Sequence, residues 1–109
     1  MDSLEETLGA LRAFIDERDW DQFHSPANLA KSIAIEAGEL LECYQWNDDA
    51  DRSEVQGEVA DVLTYCFELC LRLKMDPIDV VRDKLEVTRA KYPIDRFKGS
   101  SRKYDDPGD

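Results

Sequence analysis

The chain has 109 residues, of which 42% are hydrophobic and 36% charged, a length and balance that fit one folded domain and exclude a disordered chain. Twenty-five acidic against fourteen basic side chains give a formal net charge of -11, which disfavours binding to nucleic acid polymers and to anionic membranes. The first residues carry no apolar signal stretch, and the longest near-apolar run contains charges, so we expect a cytoplasmic protein without a membrane segment.

Four segments show the apolar spacing of amphipathic helices, each behind a recognisable start signal. The first has its apolar stripe over residues 4–15, where Ser3 and Glu6 are placed as a capping box. The second follows the cap residue Ser25 and a proline, and we expect it to end near Trp46.

The third helix is expected to begin at Ser53, with Gln56 completing a capping box, and it is apolar nearly all round. The fourth follows Asp76 and a proline, and it should stop at Tyr92 and Pro93. A wide apolar face predicts that the third helix is central.

These patterns predict an all-α fold, a four-helix bundle in residues 1–98 followed by a polar, mobile tail in residues 99–109. Such a small bundle covers the third helix poorly, so we expect the chain to self-associate. Cys43, Cys66 and Cys70 lie within apolar helical patterns and are interpreted as reduced core residues.

Two carboxylate pairs occupy the second and third predicted helices. Glu36 and Glu39 are three residues apart and hence share one helical face, and Glu58 and Asp61 repeat this spacing. On facing helices the pairs would form an oxygen donor set suited to Mg²⁺, with Mn²⁺ as a possible substitute. One such pair is usually a solvated surface, but apolar neighbours around both favour partnered carboxylates. Gly38 indicates either a close approach of backbone or ligand, or simple tolerance.

The sequence lacks the residues that other hydrolytic mechanisms require. His24 is the only histidine, no cysteine pair has metal-ligand spacing, and the sequence holds no glycine-rich phosphate loop. Hydrolysis by metal-activated water remains, in which any of the paired glutamates could act as ligand or as proton acceptor, with Glu42 as a reserve base.

Aromatic and amide side chains near the second helix are candidates for binding a nucleobase. Trp20, Phe23, His24 and Trp46 flank the helix at its two ends, where a flat base could stack, although Trp20 and Phe23 fit core packing equally well. Asn28 could reach a base or sugar edge, or could cap the helix instead.

Candidate phosphate-binding groups lie on the third and fourth helices. Tyr65 follows Glu58 by seven residues and shares its face, and Lys84, Thr88 and Lys91 form a stripe. Ordinary solvent exposure is the more common explanation for lysines at this spacing.

Several stretches resemble the MazG-like all-α nucleotide pyrophosphohydrolases, and most of all their dCTP pyrophosphatase branch. They are RDWDQFHSPANL (18–29), EAGEL (36–40), YQW (44–46), EVADVL (58–63), KYPID (91–95) and GSSRKYDD (99–106).

The resemblance implies a magnesium-dependent enzyme that converts a nucleoside triphosphate to the monophosphate and pyrophosphate in nucleotide-pool house-cleaning, and that acts as a dimer or dimer of dimers. The substrate it implies is dCTP or a modified dCTP. The implied metal ligands are Glu36, Glu39, Glu58 and Asp61. The implied base-pocket positions are Trp20, His24 and Trp46, and the implied phosphate-side positions are Tyr65, Lys84 and Tyr92.

Three departures from the family pattern concern substrate preference rather than metal chemistry. Thr88 stands where relatives often have asparagine, Ala27 where many bacterial members have a basic residue, and Lys31 at a usually apolar position. Two alternatives stay open, a pyrophosphohydrolase of broad specificity and a non-catalytic helical interaction module.

Overall fold

The computed structural model describes residues 3–106, and within this range the regular structure is helical, without strands. The helices are α1 (Leu4–Glu17), α2 (Pro26–Glu42), α3 (Arg52–Arg72), α4 (Pro77–Lys91) and the short α5 (Ile94–Phe97), and a 3₁₀ turn (Asp21–Phe23) lies between α1 and α2. The predicted all-α fold is confirmed.

Across residues 3–106, we find no helix that combines the length and the apolar character needed to cross a bilayer.

Side-chain caps begin the helices where the sequence predicts them. Ser3 Oγ accepts a hydrogen bond from the Glu6 N–H at 3.1 Å, and Ser25 Oγ accepts one from the Asn28 N–H at the same distance. Asp76 Oδ1 accepts the N–H of Ile78 at 2.8 Å. Each cap satisfies a backbone donor that the first helical turn leaves without a partner, and this fixes where the helix begins.

Two predicted helix boundaries were wrong. The second helix ends at Glu42 rather than near Trp46, because the next backbone N–H groups bond three residues back and tighten the chain into turns. The third begins two residues earlier than predicted, since Asp51 rather than Ser53 is its N-cap and accepts the Glu54 N–H at 3.2 Å. The Ser53 hydroxyl is itself bound to the Asp51 carboxylate at 2.5 Å, so it supports that cap instead of acting as one.

The chain forms two compact units, of which the first ends at Met75 and the second begins at Asp76. In the first unit α3 packs along α2 and also contacts α1, which agrees with its predicted central place. Ile15 of α1 and Leu29 of α2 are buried there. The helix α3 carries part of the candidate site and also the buried carboxylate Glu68, both of which are described below.

The second unit contains α4, α5 and residues 99–106. The Phe97 ring is buried and meets Tyr92 edge-on at 4.8 Å between centroids. Tyr104 contacts Tyr92 at 5.9 Å, and the Arg102 guanidinium lies 5.2 Å from the Phe97 ring centre. The described part of the tail thus has aromatic contacts within its own unit, while the division at residue 98 stays a prediction.

The cysteines do not form a core. Cys43 ends α2, Cys66 and Cys70 lie in α3, and all three are half-buried. Their interpretation as core residues was therefore wrong for the single chain, because few side chains of any kind are fully enclosed in it.

Candidate active site

The packing of α2 on α3 brings the two predicted carboxylate pairs together. Each of Glu36, Glu39, Glu58 and Asp61 contributes an oxygen to a cluster whose members all lie within 4.8 Å of one another. Glu36 and Glu58 are half-buried, whereas Asp61 is exposed. We call these residues the carboxylate cluster.

The electrostatics of the carboxylate cluster favour a bound proton or cation. The pKa of Glu36 is raised from 4.5 to about 7, mainly by a hydrogen bond with the Glu39 side chain, and then by burial and neighbouring negative charges. Burial and the charges of Glu39 and Asp61 also raise the pKa of Glu58. These shifts favour the protonated form of Glu36 and Glu58, and a bound cation would offset the same negative charge.

Two oxygen atoms of the carboxylate cluster lack a partner. Oε2 of Glu36 and Oε2 of Glu58 are buried and accept no hydrogen bond from any residue in the range 3–106. A buried carboxylate oxygen without a partner carries a desolvation cost, which a divalent cation would offset. The donor set and these two atoms fit an oxygen-bound metal ion.

An open groove of about 450 Å³ borders the carboxylate cluster, and it is lined by Glu39, Glu42, Cys43, Ser53, Glu54, Gly57, Glu58 and Asp61. Sequence reasoning kept Glu42 only in reserve and missed Glu54. Both follow a cluster or cap residue by three positions, and that spacing was the available signal. Apart from its chain neighbours and its own helix backbone, nothing in residues 3–106 lies within 4 Å of a Cβ built on Gly38. Of the two alternatives for this glycine, a close approach by another segment is therefore not seen.

Tyr65 lies beside the carboxylate cluster on α3. Its pKa is raised by burial first, and then by the negative charges of Glu68, Glu36 and Asp61. The hydroxyl therefore stays protonated at neutral pH and can act as a hydrogen-bond donor, while its predicted phosphate-side role stays a prediction.

The predicted aromatic residues differ in their surroundings. Trp20 is 44% exposed and packs edge-on against Phe14 at 5.6 Å, whereas Phe23 is 61% exposed and so is not a core residue. Trp46 is 89% exposed. Trp46 consequently offers a free ring face for stacking, while Trp20 already has a partner on α1.

The 3₁₀ turn that carries His24 at its end is held by ion pairs. Asp21 bridges α1 and α3, with 3.3 Å to Arg12 and 2.8 Å to Arg72. Nδ1 of His24 lies 3.3 Å from Oε2 of Glu68 on α3, a partner that sequence reasoning missed. Periodicity gave no signal for this pair, since its members are 44 residues apart.

The amide of Asn28 is engaged at the start of α2. Its Nδ2 donates to the Phe23 carbonyl oxygen at 3.1 Å, which ties α2 to the 3₁₀ turn. Asn28 is not the helix cap, because Ser25 is the N-cap of α2, and a contact of Asn28 with base or sugar stays a prediction.

The remaining predicted residues belong to the second unit. Lys84 and Lys91 are exposed, and Thr88 and Tyr92 are half-buried. The Lys91 ammonium lies 4.6 Å from the centre of the Tyr104 ring, a cation–π contact. Their phosphate-side roles stay predictions.

Comparison with known proteins agrees with this architecture. The MazG-like family model matches residues 31–106, a range that includes all of the carboxylate cluster. The chain is 38% identical to dCTP pyrophosphatase 1 of Rattus norvegicus, over 95% of this chain and 69% of that protein. It is also 38% identical to the Homo sapiens protein of the same name, over 94% and 68% of the two chains.

The crystal structure of a pyrophosphatase from Archaeoglobus fulgidus superposes with a TM-score of 0.79 at 42% identity, covering 85% of this chain and 94% of that one. Fold and sequence therefore point to the same relatives. Since the family model spans most of the chain, including both helices that bear the carboxylates, this chain belongs to the MazG-like family.

Proposed function

We propose that the protein is a magnesium-dependent hydrolase that converts dCTP, or a modified dCTP, to the monophosphate and pyrophosphate. Nucleotide pyrophosphohydrolase activity itself is supported by the family membership and by the names of the relatives. The observation that carries the proposal is the convergence of two carboxylate pairs on α2 and α3, with two buried oxygens lacking a partner.

Four carboxylates without a histidine or cysteine among them suit a hard divalent cation such as Mg²⁺ or Mn²⁺. Glu36, Glu39, Glu58 and Asp61 would hold it. When bound, magnesium would polarise the α-phosphoryl group and neutralise charge during attack by water.

The protein must also accept a proton from the attacking water. Glu42 lines the groove beside Glu39 and Glu58, so it joins the glutamates of the carboxylate cluster as a candidate base. Tyr65 can donate a hydrogen bond to a phosphate oxygen beside the cluster, because the raised pKa of its hydroxyl keeps it protonated.

For the base we propose Trp20, His24 and Trp46, with Asn28 as a further contact through its remaining amide atoms. For the triphosphate we propose Tyr65, Lys84, Thr88, Lys91 and Tyr92. Stacking on a ring as exposed as Trp46 accepts any base. A broad-specificity pyrophosphohydrolase is therefore the second candidate function.

Self-association is part of the proposal. The buried hydrophobic core residues in the range 3–106 are Ile15, Leu29 and Phe97, while Leu63 on α3 is 46% exposed and Ile35 on α2 is 61% exposed. Apolar surface of this extent on such short helices is usually covered by another chain. We expect a homodimer or homotetramer in the cytoplasm.

The deciding experiment incubates the protein with Mg²⁺ and a panel of nucleoside triphosphates and identifies the products. Release of monophosphate and pyrophosphate, fastest from dCTP or a modified dCTP, supports the proposal. Release of orthophosphate contradicts the cleavage position, and equal rates for all bases support the broad-specificity alternative. Absence of turnover, together with no Mg²⁺ binding in calorimetry, supports a non-catalytic interaction module.

A further inference from the structure

Glu68 is a buried carboxylate on α3 to which the proposed chemistry assigns no role. The residue is 7% exposed, and its Oε2 lies 3.3 Å from Nδ1 of His24, whose side chain is 19% exposed. Both atoms are buried and neither makes a hydrogen bond within residues 3–106, so this 3.3 Å ion-pair contact is the polar contact that each of them has there. Each is therefore the polar partner of the other.

Of the polar groups around Glu68, His24 is the one that lies in contact with its carboxylate. A small cavity beside it is lined by apolar residues, Ile15, Leu29 and Leu71, and by charged ones, Arg12, Asp21 and Arg72. Both arginines are ion-paired with Asp21, and Arg12 also lies 3.9 Å from Asp16, so each arginine has a carboxylate partner other than Glu68. Tyr65 precedes Glu68 by about one helical turn and is neutral at physiological pH. The pKa of Glu68 is raised, mainly by burial, and the charge of a protonated His24 offsets part of that rise.

We propose that Glu68 is a positioning residue, which holds the His24 imidazole with its proton on Nδ1 and so presents Nε2 as a hydrogen-bond acceptor to the exocyclic amine of the bound base. This inference rests on the proposed function, because the place of His24 in the base pocket comes from the family resemblance.

The chemistry of the two groups leads to this tautomer. An ionised carboxylate only accepts hydrogen bonds, so the contact is favourable when Nδ1 carries the proton. In a neutral imidazole the other ring nitrogen is then an acceptor. Since Nδ1 is buried, the exposed part of the side chain belongs to the rest of His24.

An acceptor at this position distinguishes bases by their substituents. Cytosine and adenine carry an amino group that donates to Nε2, whereas uracil and thymine present a carbonyl oxygen that repels it. Stacking alone cannot make this distinction, because every base has a π face. Glu68 would thus contribute to selection of an amino-bearing base without touching the base.

The tautomer can be measured without any activity assay, because His24 is the only histidine of the chain. Imidazole ¹⁵N chemical shifts at about pH 8.5, well above the usual histidine pKa of about 6.5, report which nitrogen carries the proton. We expect the Nδ1–H form in the wild type and a shift toward the Nε2–H form in Glu68→Met. Glu5→Gln, an exposed carboxylate on α1, should leave the spectrum unchanged.

An Nε2–H form in the wild type would overturn the inference whether or not Glu68→Met folds. Glu68→Gln is a second, nearly isosteric variant whose amide can either donate or accept, so a mixture of the two tautomers is expected. An unchanged Nδ1–H population in both variants would also overturn it.

The second arm measures the ratio of kcat/KM for dCTP to that for dUTP. Loss of one oriented hydrogen bond should lower this ratio about tenfold in Glu68→Met, mainly through KM for dCTP. An unaltered ratio, with the tautomer shifted as expected, overturns the selection of the amine. If the wild type hydrolyses no triphosphate, the proposed function and base selection fail together, while the spectra still decide the tautomer.

Discussion

Binding of Mg²⁺ should expel protons from the protein by an amount that depends on pH. The pKa of Glu36 is raised to about 7, and a metal ligand must be ionised. At pH 7 such a carboxyl group carries about half a proton, which cation binding would release, against about 0.9 at pH 6 and about 0.1 at pH 8. Glu58, whose pKa is also raised, adds to the release in the same direction.

Isothermal titration calorimetry measures this number directly. Titrations with MgCl₂ at pH 6, 7 and 8, each in two buffers of different ionisation enthalpy, give the protons released from the difference in apparent enthalpy. Apparent affinity should fall toward tenfold per pH unit below pH 7, because protons compete with the cation. Glu36→Gln should bind more weakly and lose most of the pH dependence, whereas Glu5→Gln should match the wild type. A release that stays constant from pH 6 to 8 would refute the reasoning.

Four further outcomes are expected. Glu39→Gln and Asp61→Asn should each abolish turnover while the helical circular dichroism stays intact, and retained turnover would remove these residues from the site. Trp46→Ala should raise KM for the preferred nucleotide without changing the melting temperature, since the ring is 89% exposed; an unaltered KM would count against stacking. Asp76→Ala should lower the free energy of unfolding, measured by urea denaturation, by about 1 kcal/mol, because two backbone N–H groups lose their acceptor. An unchanged free energy of unfolding would show that the cap is dispensable. The raised pKa of Glu36 means that, in EDTA, the folded state binds a proton more tightly than the unfolded state. The melting temperature should therefore fall as pH rises from about 4.5 to about 7, and it should recover when Mg²⁺ is added at pH 8. A melting temperature that rises over that interval would contradict the assignment.

The structural features that depend on residues close together in the sequence could be predicted from it. Ser3, Ser25 and Asp76 cap their helices through bonds to residues two or three positions ahead, so a local pattern suffices. The pairs Glu36 with Glu39 and Glu58 with Asp61 follow from helical spacing in the same way. Their convergence needed one further assumption, that α2 and α3 pack side by side.

The features that the sequence did not predict depend on competition between two candidate N-cap residues, or on contacts between residues far apart in the sequence. Asp51 and Ser53 are both good N-caps two positions apart, and the sequence does not show that the serine hydroxyl would bind the aspartate. In the sequence Glu68 is only a charge that interrupts an apolar run, because its partner His24 reaches it only once α3 is packed in the fold. Sequence periodicity reports which face a residue occupies, but not what that face meets.

The division of the chain at Met75 has a consequence for how members of such a family diverge. All four carboxylates come from a single helical hairpin in the first unit, whereas the proposed phosphate contacts on α4 belong to the second. If Thr88 contacts the triphosphate as proposed, substitutions in α4 would change which triphosphate is accepted without altering the four carboxylates. Cation binding and substrate choice would then be able to evolve separately within one short chain.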